Sequence, residues 1–115
     1  MISIRRVYEP SAPGEGPRLL VDRVWPRGLS RAEAGLAAWY KELAPSTELR
    51  RWFGHDPERF SEFRRRYQDE LREKSDLMED LAAWARRGDV VLVYAASDVQ
   101  HNNAIVLRDA LQKWL

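Results

Sequence analysis

The sequence predicts a small single-domain α/β fold, with a short, largely parallel or mixed sheet flanked by helices. Three observations carry this. Val90 to Ala96 is an unbroken apolar run, which suits a strand covered on both faces. Phe60, Phe63, Tyr67 and Leu71 recur at helical spacing, with charged residues over the rest of that stretch, as on an amphipathic helix. The 115 residues are 44% apolar and 32% charged, ordinary values for one globular domain with its own core. No linker, repeat or low-complexity tract divides residues 1 to 115.

Ile2 to Tyr8 reads as a first strand, with Ile2, Ile4 and Tyr8 on alternate positions. Glu9 to Pro17 holds three prolines and two glycines and is a loop. Arg18 to Trp25 is a second strand, which Pro26 stops and Gly28 turns. The connection between them is too short for a helical crossover, so these strands are expected to be antiparallel or not adjacent. Ser30 caps a short helix through Ala34, with Glu33 at the capping-box position. Leu36 to Leu43 fits either a helix or a short strand; the alternation slightly favours a strand. Ser46 opens a helix over Thr47 to Phe53 that Gly54 closes. Asp56 and Pro57 then start the long helix to about Lys74. Ser75 or Asp76 caps the next helix, ended by Gly88. After the central strand, Asp98 is the expected N-cap of a last helix, roughly Gln100 to Trp114, because its carboxylate can accept from a first-turn amide.

Several function classes are disfavoured by composition alone. Nineteen basic residues against eighteen acidic ones leave a net charge of +1, so global charge argues for neither a nucleic-acid nor a membrane binder. The absence of cysteine removes disulfides, thiolate nucleophiles and Cys-based zinc sites. The first residues lack the apolar core of a signal peptide, and no run approaches a transmembrane helix. A cytoplasmic protein without a membrane partner is expected. Two histidines make a poor metal set, so no metal or other cofactor is expected.

Three stretches carry candidate chemistry. The first is Asp98 to Asn103, where a strand end meets a helix start, a place where α/β proteins hold anions and small ligands. Backbone amides there carry about half a positive charge collectively. His101 can move a proton near neutral pH, and Asn102 and Asn103 offer neutral donors. Against this stands the simpler reading that these side chains only cap the helix and satisfy neighbouring backbone groups. The second is Asp22 to Gly28. Arg23 and Arg27 near a strand end can clamp a carboxylate or phosphate, beside a rigid wall made by Trp25 and Pro26. Residues 1 to 31 hold six arginines and only three acids. The third is Trp52 to Pro57, where His55 and Asp56 are better read as a helix junction than as metal ligands. Arg64, Arg65 and Arg66 suggest nucleic acid, but acids at 58, 62, 69, 70 and 73 point to a solvated face of ion pairs three or four residues apart. The five tryptophans fall mostly on predicted apolar faces.

The motifs Arg6-Val-Tyr, Leu20-Val-Asp-Arg-Val-Trp-Pro-Arg-Gly28, Lys41-Glu-Leu-Ala-Pro-Ser46, Trp52-Phe-Gly-His-Asp-Pro57 and Asp98-x-x-His-Asn-x-Ala104 run in order along nearly the whole chain. They resemble the YeaO-like branch of the bacterial domain-of-unknown-function family 488. The resemblance implies an α/β domain and a bacterial, intracellular setting; the family brings no settled activity. Broader members are similar in layout, with an Asp-Val-Arg segment after one strand and a Cys-His-Arg segment after the last. Here the corresponding regions are Asp22-Arg23 and His101-Asn102-Asn103. The cysteine and its following arginine are missing, so thiol-based phosphatase or sulfur-transfer chemistry is not expected.

Together these readings favour a binder of an anionic small molecule, of phosphate or nucleotide type, at the strand C-terminal ends. Arg23, Trp25, Arg27, Asn102 and Asn103 would form the binding set. Any hydrolysis or group transfer would use His101 as general acid/base, oriented by Asp22 or Asp98. The alternative is a non-catalytic nucleic-acid- or protein-binding module using exposed tryptophans and the arginine-rich helix, with salt-sensitive affinity if it takes nucleic acid.

Overall fold

In the computed structural model, which describes residues 1–115, the chain runs β1 (Ile2–Arg6), β2 (Arg18–Leu20), α1 (Arg31–Ala34), β3 (Ala38–Trp39), a 3-10 turn at Lys41–Leu43, α2 (Thr47–Phe53), a second 3-10 turn at Pro57–Arg59, α3 (Phe60–Arg72), α4 (Ser75–Arg87), β4 (Val90–Tyr94) and α5 (Asn103–Trp114). The four strands form one sheet in the order β1-β4-β2-β3, and every pairing is parallel. The first two strands are thus not adjacent: β4, the last strand in sequence, lies between them.

The apolar run of β4 is buried at every position, and its alternation serves two cores. Val90, Leu92 and Tyr94 join the main cluster with residues of α2, α3, α4 and α5, whereas Val91 and Val93 meet Val7 and Leu20 on the opposite face. That second face is covered by Trp25, Leu29, Leu36, Trp39 and Ala95. Helices therefore pack mainly on one side, and the Trp-rich loops seal the other. Phe63, Tyr67 and Leu71 are buried on α3 as the spacing predicts. Tyr67 also donates its hydroxyl to the Leu43 carbonyl at 2.6 Å, which satisfies the one polar atom of a fully enclosed ring.

Several boundaries differ from the sequence reading. The second strand ends at Leu20, and Asp22 to Gly28 is loop, because no further strand pairs beyond that point. Leu36 to Leu43 divides into a two-residue strand and a 3-10 turn, so each of the competing patterns holds for part of it. Neither Ser75 nor Asp76 caps α4; the N-cap position is Lys74, with no side-chain bond. Asp98 does not cap α5. The helix starts later, at Asn103, and the cap is Asn102, whose side chain accepts from the Ile105 amide. The capping box of Ser30 and Glu33 and the left-handed C-cap at Gly54 are as expected.

Two arginines hold the strand ends without any carboxylate. Arg18, only 5% exposed, donates to the carbonyls of Val7 at 2.8 Å, Glu9 at 3.0 Å and Ala34 at 3.2 Å. It ties the end of β1, the loop after it and the end of α1 to β2. Burial lowers its pKa from the ordinary arginine value. Arg6 donates to the carbonyls of Ala96 and Ala95 at 3.0 and 3.3 Å, fixing the exit of β4.

Candidate functional site

Because the sheet is parallel, the C-terminal ends of β1, β2 and β4 share one edge. There the loops open a cavity of about 800 Å³, within the range of small-molecule sites. β1 contributes Arg6 and the following Tyr8, the loop after β2 contributes Asp22 to Arg27, β4 is followed by Ala95 to Ser97, and α5 begins with Asn102 and Asn103. α2 and its exit supply Arg50, Arg51, Phe53 and His55. Five arginines and one carboxylate, Asp22, thus line one space.

The arginines divide by what their side chains do. Arg6 is bound to the β4 exit, as described. Arg23 donates to the carbonyls of Pro45 and Ala44 at 3.0 and 3.1 Å, with Glu42 at 3.7 Å. Its carbonyl partners are the C-cap of the 3-10 turn and the residue after it, so it acts as a strut. Arg27, Arg50 and Arg51 make no side-chain hydrogen bond or ion pair and are exposed. The loop carrying Arg27 is held by the Tyr8 hydroxyl, which donates to the Arg27 carbonyl at 2.9 Å.

Asp22 sits at the junction. Its Oδ2 accepts from the Ala95 amide at 2.9 Å, and its Oδ1 from the Asn103 side-chain amide at 3.1 Å. Asn103 also donates to the Val21 carbonyl, and Trp39 donates through Nε1 to the Asp22 carbonyl at 2.7 Å. One residue thereby joins the ends of β2 and β4 to the start of α5. Burial raises the Asp22 pKa from its ordinary value, while the two hydrogen bonds and the charges of Arg50 and His55 oppose that shift.

His101 is elsewhere. Its Nδ1 lies 3.0 Å from Asp98 Oδ2, and its ring meets Phe60 edge-on at 5.2 Å. Asp98 accepts from the amides of Gln100 and His101. These bonds, with the Gln100 amide foremost, lower its pKa. Neither His101 nor Asp98 lines the cavity, and the hydrogen-bond partners of Asp22 do not include His101. The structure gathers Asp22, Arg23, Trp25, Arg27, Asn102 and Asn103 around one space and leaves the His101–Asp98 pair outside it. The histidine that does line it is His55, which takes φ 58 directly after Gly54 at φ 55. A non-glycine residue in the left-handed region is uncommon, and histidine is among those that adopt it. Arg50 and Arg51 were hidden in sequence, since on a short helix they read as solvated side chains.

No three His, Cys, Asp or Glu side chains are grouped to hold a metal ion. No helix is long and apolar enough to cross a membrane. The arginine run on α3 is engaged internally: Arg64 with Asp109 at 2.9 Å, Arg65 and Arg66 with Glu62. Trp52 lies beneath Arg59 and Arg66, and Trp25 meets Trp39 edge-on at 5.4 Å.

Over residues 1–115 the chain matches the model of DUF488-N3i, described as the inactive DUF488-N3 subclade. It belongs to this family. It is 43% identical over 110 residues to an uncharacterised protein of Mycobacterium tuberculosis, covering 96% of this chain and 92% of the relative. To the uncharacterised protein YeaO of Escherichia coli it is 39% identical over 111 residues, covering 96% of each. No solved structure matches it. The family membership agrees with the resemblance read from the motifs.

Proposed function

We propose that this protein binds a small phosphate-type anion in the arginine-lined cavity at the C-terminal ends of β1, β2 and β4. The observation that carries the reading is that Arg27, Arg50 and Arg51 line the cavity with no protein acceptor for their guanidinium groups. Unpaired arginines grouped around a concavity present planar forks of donors suited to phosphate oxygens. Asn103, at the first position of α5, brings the positive end of a 12-residue helix to the same space.

Binding without turnover is the reading this site favours. The chain has no cysteine, the His101–Asp98 pair lies off the cavity, and the subclade's description as inactive points the same way. The nucleic-acid module receives less support, because the α3 arginines are matched by acids of the same chain.

Isothermal titration with inorganic phosphate, pyrophosphate and AMP tests the proposal. Saturable binding is expected, weakened at least about tenfold by Arg50→Ala or Arg27→Ala, as for loss of a charged hydrogen bond. No heat of binding from any of the three at millimolar concentration refutes it.

A further inference from the structure

Asp22 is an odd residue to find in an anion site. It repels the same ligands that the arginines attract, and a site built only for bare phosphate would bind better without it. It makes no ion pair, although five arginines line the same cavity. Its oxygens take one neutral donor each, from Ala95 and Asn103. A carboxylate has about four acceptor positions, so roughly half its capacity is left, and Asp22 itself is part of the cavity wall.

We infer that the ligand is a phosphate ester carrying free hydroxyls, and that Asp22 accepts a hydrogen bond from those hydroxyls while the unpaired arginines hold the phosphate. This inference rests on the anion-binding reading above and deepens it. The opposed charges give the ligand a direction: the phosphate is repelled by Asp22 and drawn to the arginines, and the hydroxyls are drawn to Asp22. Tyr8 and Trp25 are also in the wall; Arg6 covers one face of Tyr8 and Arg31 one face of Trp25, and the remaining ring surface suits the apolar side of a sugar. Trp25 has its indole N–H committed to the Leu29 carbonyl at 2.7 Å, which leaves the ring surface rather than the donor for a ligand. A sugar phosphate and a nucleotide share this chemistry.

The test compares propyl phosphate, ribose 5-phosphate and AMP by titration against the unmodified protein at one ionic strength, then against Asp22→Asn. Ribose 5-phosphate is expected to bind on the order of tenfold more tightly than propyl phosphate, as one hydrogen bond to a charged acceptor implies. Asp22→Asn should abolish that preference, leaving propyl phosphate unchanged or tighter. AMP tighter than ribose 5-phosphate would identify the nucleotide form; AMP weaker would identify the sugar phosphate. Equal affinity of propyl phosphate and ribose 5-phosphate for the unmodified protein overturns the inference while sparing the anion site, and needs no variant that might misfold. Absence of binding by every phosphate overturns both.

Discussion

Gly16→Ala tests the packing at the sheet's entry. A Cβ at this position would lie 1.7 Å from the Asp89 carbonyl oxygen and 2.4 Å from its carbon. Ordinary contact begins near 3.4 Å, so the two backbones must part by roughly 1.7 Å. The next residue, Pro17, accepts from the Val91 amide at 2.9 Å, and a displacement of that size opens the bond. Proline's fixed φ limits how the chain can bend away locally. Overpacking costs about 1–3 kcal/mol and a lost backbone bond about 1 kcal/mol, so a loss of about 2–4 kcal/mol is expected. At about 4 °C per kcal/mol for a chain of this size, Tm should fall by about 8–16 °C. Thermal and urea unfolding followed by circular dichroism would measure it. A loss below about 1 kcal/mol would refute the reasoning, by showing that the loop before β2 yields without disturbing the β2–β4 pairing.

Other perturbations separate frame from site. Arg18→Met removes a buried guanidinium that serves three carbonyls; a loss of about 2–4 kcal/mol in urea unfolding is expected, and an unchanged midpoint would show that water replaces it. Glu62 is bound by Arg65 and then Arg66, which hold its carboxyl at about 2 rather than 4.5. Its folded-state pKa is depressed, so its contribution to stability is complete above about 4.5 and disappears as pH falls through about 2. Titration of its side-chain carboxyl by NMR should show this low midpoint, moving upward in high salt; a midpoint near 4.5 in dilute buffer contradicts the ion-pair geometry. His101→Ala should leave phosphate affinity within about twofold, whereas Arg50→Ala weakens it about tenfold or more. The reverse ranking in paired titrations would move the site to the His101–Asp98 turn.

Much of the fold was legible because burial leaves a periodic mark. The seven-residue apolar run suited a covered strand, which its first five residues form, and Phe63, Tyr67 and Leu71 announced the inner face of α3. Strand order was not legible, since nothing local to Val90–Tyr94 says that it inserts between the first two strands. The start of α5 was misread for a similar reason. Asp98 and Asn102 are both competent caps, and the choice was made at a distance, where Asp22 anchors Asn103 and so fixes the helix's first turn. Asp22, Arg23, Arg27 and the two asparagines could be picked out because residue types suited to anions stood at strand ends. Arg50 and Arg51 could not, and His55, singled out in its stretch, was read as part of a helix junction. Only packing of α2 across the sheet's edge gives those exposed side chains a cavity to face.

The guanidinium struts have a consequence for how the molecule answers to ionic strength. Arg6, Arg18 and Arg23 each grip main-chain carbonyls, and such bonds set a charge against a dipole rather than against a counter-charge. Dissolved ions weaken attraction between exposed charges, with a screening length of about 8 Å at physiological salt, but they have less hold on a buried or half-buried fork closed on peptide oxygens. An anion held in the cavity as proposed would therefore be displaced by rising salt before these struts give way, and exposed pairs such as Glu62 with Arg65 are the part of the frame that salt reaches.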